Sequence, residues 1–164
     1  MLELFWNGES LGRKAIEKFG HGEWQVSYAP GTIEVKAYIG GKEICSDAKT
    51  TSGAAHRLVL TQDTLDVRAN GDDIAIFSCS VVDENGLEVP NANIPLVSFY
   101  ASGDCSVYST GSDISDHGYL LCPDRRMREG RISVDLKLGN DKNQMKLYAK
   151  AEGLISAVIN VTTE

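Results

Sequence analysis

Apolar residues recur at every second position along most of this chain, and that spacing restricts the fold more than any other feature. The apolar side chains of "TIEVKAYI" fall on alternate positions: Ile33, Val35, Ala37 and Ile39. Side chains with this period share one face of an extended strand. Helical spacing occurs only over residues 11–19, where Gly12 and Gly20 make a helix marginal. The sequence therefore predicts an all-β protein.

Turn signals divide the chain into two predicted units, residues 1–52 and residues 53–164. The boundary lies in "TSGAAH", which is small, polar and irregular. About eight strands follow it at regular spacing, and this pattern predicts an antiparallel immunoglobulin-like β-sandwich. Residues 1–52 offer only four or five strands, so we expect a partial β-sandwich module whose other strands precede residue 1.

Several strands are predicted individually from local patterns. The opening segment "LELFW" runs into Asn7-Gly8, the dipeptide best suited to a tight hairpin turn. Residues 24–28 ("WQVSY") alternate in the same way and are predicted to pair with residues 32–39 through the "APG" turn. In the second unit, residues 74–82 are predicted to form a long strand. Residues 110–128 are predicted to form a long ordered loop that contains a short strand at residues 119–122.

Charge and composition exclude some partners. The net charge is −7, and the only local concentration of basic residues is the segment "RRMREGR" at positions 125–131, so a nucleic-acid partner is not expected. No apolar run approaches the ~20 residues of a membrane span, so no membrane partner is expected either. The four cysteines have no metal-site or redox spacing and are predicted to be free thiols, with one disulfide left open.

The acidic residues lie where turns need them. Asp72 and Asp73 follow Asn70-Gly71, and Asp83 precedes Asn85-Gly86, so their side chains are expected to hold turns. The sequence has no G-x-S-x-G elbow and no glycine-rich phosphate loop followed by a helix. We therefore predict no catalytic residue and no cofactor in these residues.

One cluster could hold a metal ion. In "GSDISDHG" the carboxylates of Asp113 and Asp116 and the imidazole of His117 are close in sequence. The same residue types also satisfy the backbone amides of a long loop. Because no second ligand cluster accompanies them, the loop interpretation is preferred and no metal site is predicted.

Aromatic side chains could instead contact sugars. Trp24 and Tyr28 share one predicted face, which is more typical of a core. The candidate carbohydrate contacts are the tyrosines predicted to point outward or to lie on a loop: Tyr38, Tyr100, Tyr119 and Tyr148.

The order of these motifs resembles a known family. "LELFWNGESLGRK" and "WQVSYAPGTIEVKAYIGGKEICSDAKTTSGAAHRLVLTQD" are similar to the stretch that follows the catalytic barrel in bacterial β-galactosidases of glycoside hydrolase family 2. "LDVRANGDDIAIFSCSVVDENGLEVPNANIPLVSFYASG" resembles the C-terminal immunoglobulin-like domain of that family. The matching positions of this segment are Ala69, Gly71, Asp73, Val82, Asp83, Gly86, Val89, Pro90, Ala92, Phe99 and Gly103.

Two segments depart from the family pattern. Ala55 replaces a linker proline. The family loop "G-N-G-D-P-T-S-H-E" corresponds to the first part of "STGSDISDHGYLLCPDRRMREGRI", and the proline of the family loop has no counterpart in that part. With a shift of about one residue, the residues placed on that loop are Gly111, Asp113, Ser115 and His117.

The resemblance implies a non-catalytic accessory region, because the catalytic glutamates of the family belong to a barrel that these residues do not include. Its partners would be the barrel and other domains of a bacterial parent enzyme. The cellular compartment of that enzyme would be determined by sequence upstream of residue 1. The alternative is a carbohydrate-binding or adhesive module of a bacterial surface protein. Hydrolysis by this chain itself is disfavoured. An uncovered strand edge in residues 1–52 further predicts some self-association.

Overall fold

The computed structural model describes residues 1–112, 118–141 and 143–164. These residues contain strands and no helix, which confirms the all-β prediction. In the described part of the chain, therefore, no helix is long and apolar enough to cross a membrane. The strands are β1 Leu2–Trp6, β2 Glu9–Lys14, β3 Thr32–Ile39, β4 Lys42–Thr50, β5 Arg57–Gln62, β6 Ile74–Val82, β7 Ile94–Ser102, β8 Cys105–Gly111, β9 Asp124–Met127, β10 Arg131–Leu138, β11 Lys146–Ala151 and β12 Ala157–Asn160.

The chain forms two compact units, Met1–Thr51 (unit 1) and Ser52–Glu164 (unit 2). Unit 1 is a single antiparallel sheet in the order β2-β1-β3-β4. At the β1–β2 turn, Asn7 and Gly8 have φ angles of 48° and 85°. This is the left-handed region that a two-residue hairpin turn requires, as the Asn-Gly dipeptide predicted.

Unit 1 has almost no core of its own. Within residues 1–51, all of which the structure describes, Leu4 is the one hydrophobic side chain that is buried. The edge strand β4 is exposed along its whole length. A sheet normally buries one face against a second layer, and residues 1–51 supply no second sheet.

The predicted strand at residues 24–28 is wrong. These residues form no regular element, and Tyr28 is 81% exposed. The physical reason is that β3 is already paired on both edges, with β1 on one side and β4 on the other. Residues 24–28 therefore cannot form the hairpin with β3 that their alternating pattern predicted, because β3 has no free edge.

The weak helical spacing over residues 11–19 does not produce a helix. Residues Glu9–Lys14 form β2 and pair with β1, so the backbone groups at the start of this stretch are used in the sheet. Phe19, the last apolar residue of the pattern, has a φ of 66° and is almost fully exposed.

Unit 2 is a sandwich of two antiparallel four-stranded sheets, β5-β6-β10-β8 and β12-β11-β7-β9. β6 has the predicted bounds, and alternate side chains along β6 and β10 are buried. The largest fully buried side chains include Phe77, Phe99 and Met127. The core predicted from alternation therefore lies between the two sheets.

One local prediction in unit 2 is wrong. Residues 119–122 form no strand, and the short strand is instead β9, Asp124–Met127, which pairs with β7. Residues 65–69 alternate in sequence but are not a strand. There the amide of Arg68 donates to the Asp73 carboxylate at 2.9 Å, so that a side chain takes the place of a strand partner.

All four cysteines are free thiols. Cys79 is fully buried in the core, and burial raises the pKa of its thiol to about 12. Cys45, in contrast, is exposed on β4.

Candidate functional site

Two of the predicted carbohydrate contacts lie side by side on unit 2. Tyr100 on β7 and Tyr148 on β11 are direct cross-strand partners, and Tyr148 is also opposite Val158 on β12. Their neighbours Phe99 and Leu147 are buried between the sheets, whereas Tyr100 is 52% exposed and Val158 58% exposed. Because successive side chains alternate across a strand, these three residues form a row on the outer face of the sheet.

Polar side chains lie along both sides of this row. On β7, β11 and β12 the outer face presents Leu96, Ser98, Tyr100, Ser102, Lys146, Tyr148, Lys150, Val158 and Asn160. The Ser102 hydroxyl donates to the Tyr148 hydroxyl oxygen at 3.5 Å. The face therefore combines aromatic surface with hydroxyl, amide and ammonium groups.

The third tyrosine, Tyr38, belongs to a different environment on unit 1. The guanidinium carbon of Arg13 lies 4.4 Å from the centre of its ring. Glu3 accepts hydrogen bonds from the Ser10 hydroxyl and the Arg13 Nε, each at 2.7 Å. Burial raises the pKa of Tyr38, as does the nearby negative charge of Glu3. Tyr38 is therefore part of a polar side-chain network on the sheet of unit 1.

The fourth tyrosine, Tyr119, lies on the loop that leads to β9 and is exposed. Its carbonyl accepts a hydrogen bond from Arg125 Nη2 at 2.7 Å. Arg125 is 4% exposed, and its Nε donates to the Thr110 hydroxyl at 3.0 Å. Sequence reasoning did not single out Arg125 as a buried group that anchors this loop.

The residues placed on the family loop are only partly described. Gly111 is the last residue of β8. The described residues do not include Asp113, Ser115 and His117. They also do not include Asp116, which the sequence analysis considered as a metal ligand. Among the residues that are described, no three His, Cys, Asp or Glu side chains converge as metal ligands would.

Sequence reasoning also missed an open pocket in unit 1. It measures about 330 Å³ and is lined by Trp6, Val26, Ser27, Tyr28, Gly31, Ile33, Lys49, Thr50 and Thr51. The pocket exists because residues 26–28 are not a strand of the sheet. The alternation of these residues had instead assigned Tyr28 to a core face.

The perturbed carboxyl groups in the described residues are all stabilised as anions. The pKa is lowered at Glu3, Asp73, Asp83 and Asp104. At Asp83, hydrogen bonds from backbone amides cause the lowered pKa, the strongest from Gly53 at 2.7 Å and another from Leu87 at 2.8 Å. A glycosidase acid needs the opposite shift, because it must hold its proton near neutral pH. The three aspartates accept hydrogen bonds from backbone amides of turns and loops. Glu3 instead pairs with side chains of the neighbouring strand β2.

Comparison with known proteins places this architecture in a family. Residues 58–160 match the model of glycoside hydrolase family 2 C-terminal domain 5, which covers more than half of the chain. The chain belongs to glycoside hydrolase family 2. Residues 1–45 match a domain of unknown function, DUF4982. The family resemblance predicted from the sequence is thereby confirmed.

Relatives within family 2 match almost the whole chain. The β-galactosidase BoGH2A of Bacteroides ovatus is 30% identical over 167 residues, which cover 99% of this chain and 19% of that protein. A family 2 member from Bacteroides cellulosilyticus has a TM-score of 0.90 at 26% identity, over 98% of this chain and 22% of that one. A β-glycosidase from Bacteroides vulgatus has a TM-score of 0.84 at 27% identity, over 98% and 21%. The chain thus spans about a fifth of the length of these relatives.

Proposed function

We propose that this chain is a non-catalytic accessory region of a β-galactosidase-like glycoside hydrolase, and that it packs against and supports the catalytic domain. The observation that carries the proposal is the state of the carboxyl groups. Every perturbed carboxyl in the described residues has a lowered pKa, and amide, hydroxyl or guanidinium donors hold it as an anion. Glycoside hydrolysis needs a second carboxyl that keeps its proton near neutral pH as the general acid, and none of these groups provides it.

The architecture of unit 1 supports the packing role. Its sheet has one buried hydrophobic side chain, Leu4, and the neighbouring Trp6, Ile33 and Val35 are only partly covered. Burying apolar surface of this kind stabilises by about 25 cal/mol per Å². A neighbouring domain of the parent enzyme that covered this face would therefore stabilise unit 1 and be held in place by it. A typical contact between domains of one chain buries about 600–1,500 Å².

An activity assay tests the non-catalytic part. The purified chain is incubated with a chromogenic β-galactoside, and the β-galactosidase of Bacteroides ovatus serves as the active control. We expect no hydrolysis above the buffer rate. Hydrolysis that disappears in Asp83→Asn or Asp104→Asn, with the circular dichroism spectrum unchanged, would overturn the proposal.

Hydrogen exchange followed by mass spectrometry tests the packing part. Peptides from β1 and β3 are compared in this chain alone and in the complete parent enzyme. We expect slower exchange in the parent, because a covered sheet opens less often. Peptides from β6 and β10 are the internal control, since the core of unit 2 is already closed. Equal exchange rates for β1 and β3 in both proteins would refute the supporting role.

A further inference from the structure

We propose that the outer face of the sheet β12-β11-β7-β9 binds acidic oligosaccharides, that is, glycans that carry carboxylate or sulfate groups. The ligand would lie across the row formed by Val158, Tyr148 and Tyr100. This inference concerns unit 2 and does not depend on the accessory role proposed above.

The aromatic row supplies the stacking surface. Tyr100 and Tyr148 are cross-strand partners, so their Cβ atoms lie about 4.5–5.5 Å apart. Val158 extends the row by one strand on one side. A pyranose ring presents C–H groups on its faces, and these pack against phenol rings. Tyrosine suits this role because it offers a large surface and loses little side-chain entropy when it is immobilised.

The charge of this face selects the class of sugar. The chain has a net charge of −7, yet the outward side chains of β7, β11 and β12 include two lysines and no carboxylate. Lys146 and Lys150 lie two residues before and after Tyr148 on the same face of β11. The described structure contains no ion pair of either lysine. At the β9 edge, Asp124 and Arg126 balance one another. Two uncompensated ammonium groups beside an aromatic row are complementary to an anionic sugar.

Other occupants fit this face less well. A second copy of the chain, bound through a two-fold axis, would bring its own Lys146 and Lys150 against the same face and add like-charge repulsion. An apolar protein surface would remove both ammonium groups from water without a partner. A glycan offers hydroxyl groups to Ser98, Ser102 and Asn160 and anionic groups to the lysines.

Isothermal titration calorimetry of the chain tests the proposal. The probes are an oligogalacturonate, the same oligomer fully methyl-esterified, and a dextran sulfate. We expect saturable binding of at least one acidic glycan, weakened by added salt because the charges are exposed, and much weaker binding of the neutral ester. Tyr100→Ala and Tyr148→Ala should each reduce the affinity about 5- to 10-fold. Lys150→Ala should reduce both the affinity and its salt dependence.

Matched controls come from the opposite sheet of unit 2. Tyr108→Ala removes an exposed tyrosine from β8, and Lys137→Ala removes an exposed lysine from β10. Both variants should bind like the unchanged chain. Binding of dextran sulfate alone supports the proposal with sulfate as the anion, provided that the tyrosine variants weaken it. The proposal is overturned by no binding of either acidic glycan, by equal binding of the ester, or by binding that the tyrosine variants leave unchanged.

Discussion

Replacing Phe77 with alanine should unfold unit 2 more easily while leaving unit 1 unchanged. Phe77 is 0% exposed, lies on β6 and is the cross-strand partner of Val134 on β10. Its ring therefore fills the space between the two sheets. Truncation of a buried phenylalanine to alanine costs about 3–5 kcal/mol, because apolar contact is lost and a cavity is left.

The size of the expected shift can be derived from the structure. A domain such as unit 2 is stable by about 5–15 kcal/mol, so the substitution removes a large share of its stability. With a urea dependence of about 1–3 kcal/mol per molar, the unfolding midpoint should fall by roughly 2 M. Unit 1, whose one buried hydrophobic side chain is Leu4, should be stable by less than about 3–5 kcal/mol and unfold first.

Tryptophan fluorescence and far-ultraviolet circular dichroism separate the two events. The chain has two tryptophans, Trp6 and Trp24, and both lie in unit 1. Fluorescence therefore follows unit 1, whereas circular dichroism follows the strands of both units. In Phe77→Ala the second transition seen by circular dichroism should move, and the fluorescence transition should not. Tyr108→Ala, an exposed residue of the same unit, should change stability by at most about 0.5 kcal/mol.

Two results would refute this reasoning. A single transition at the same midpoint for both probes would mean that the units do not unfold separately. A fluorescence midpoint that falls together with the circular dichroism midpoint in Phe77→Ala would mean that the stability of unit 1 depends on the core of unit 2.

Three further measurements address local features. Backbone amides, chiefly that of Gly53, lower the pKa of the Asp83 carboxyl. The carboxylate therefore stabilises unit 2 at pH values above its unfolded pKa of about 3.8. This stabilisation is lost as the pH falls through the lower pKa of the folded state. In urea titrations at several pH values, Asp83→Asn should be less stable than the unchanged chain at neutral pH, and the gap should close in acid; a constant gap would contradict this. A thiol reagent should modify exposed Cys45 in the folded chain and reach buried Cys79 only in denaturant; equal rates would refute the burial. Light scattering should detect self-association through the exposed edge β4, and Ser46→Pro should reduce it because proline breaks edge pairing; a monomer at high concentration would count against it.

Much of the fold follows from local patterns. β6 and β10 alternate between buried and exposed positions as their sequences predict, since both lie in the middle of a sheet with one face on the core. The Asn7-Gly8 turn is also local, because only its own two residues need the left-handed conformation. Such features require no knowledge of distant residues.

Other features depend on competition between segments. Residues 24–28 have the alternation of a strand but find no free edge, because β1 and β4 pair with β3. The pocket bounded by Trp6 and Tyr28 is a consequence of that outcome. The burial of Arg125 likewise depends on Thr110 and the carbonyl of Tyr119, which meet it only in the folded chain.

The sequence by itself determined the all-β class, the strands of strong alternation and the family, because periodicity and motif order are properties of the chain alone. It also predicted that Tyr100 and Tyr148 point outward. Only the tertiary structure decided that these two tyrosines are cross-strand partners with Lys146 and Lys150 beside them. Strand register is set by long-range pairing between β7 and β11, and a shift of one residue would have moved every side chain to the opposite face.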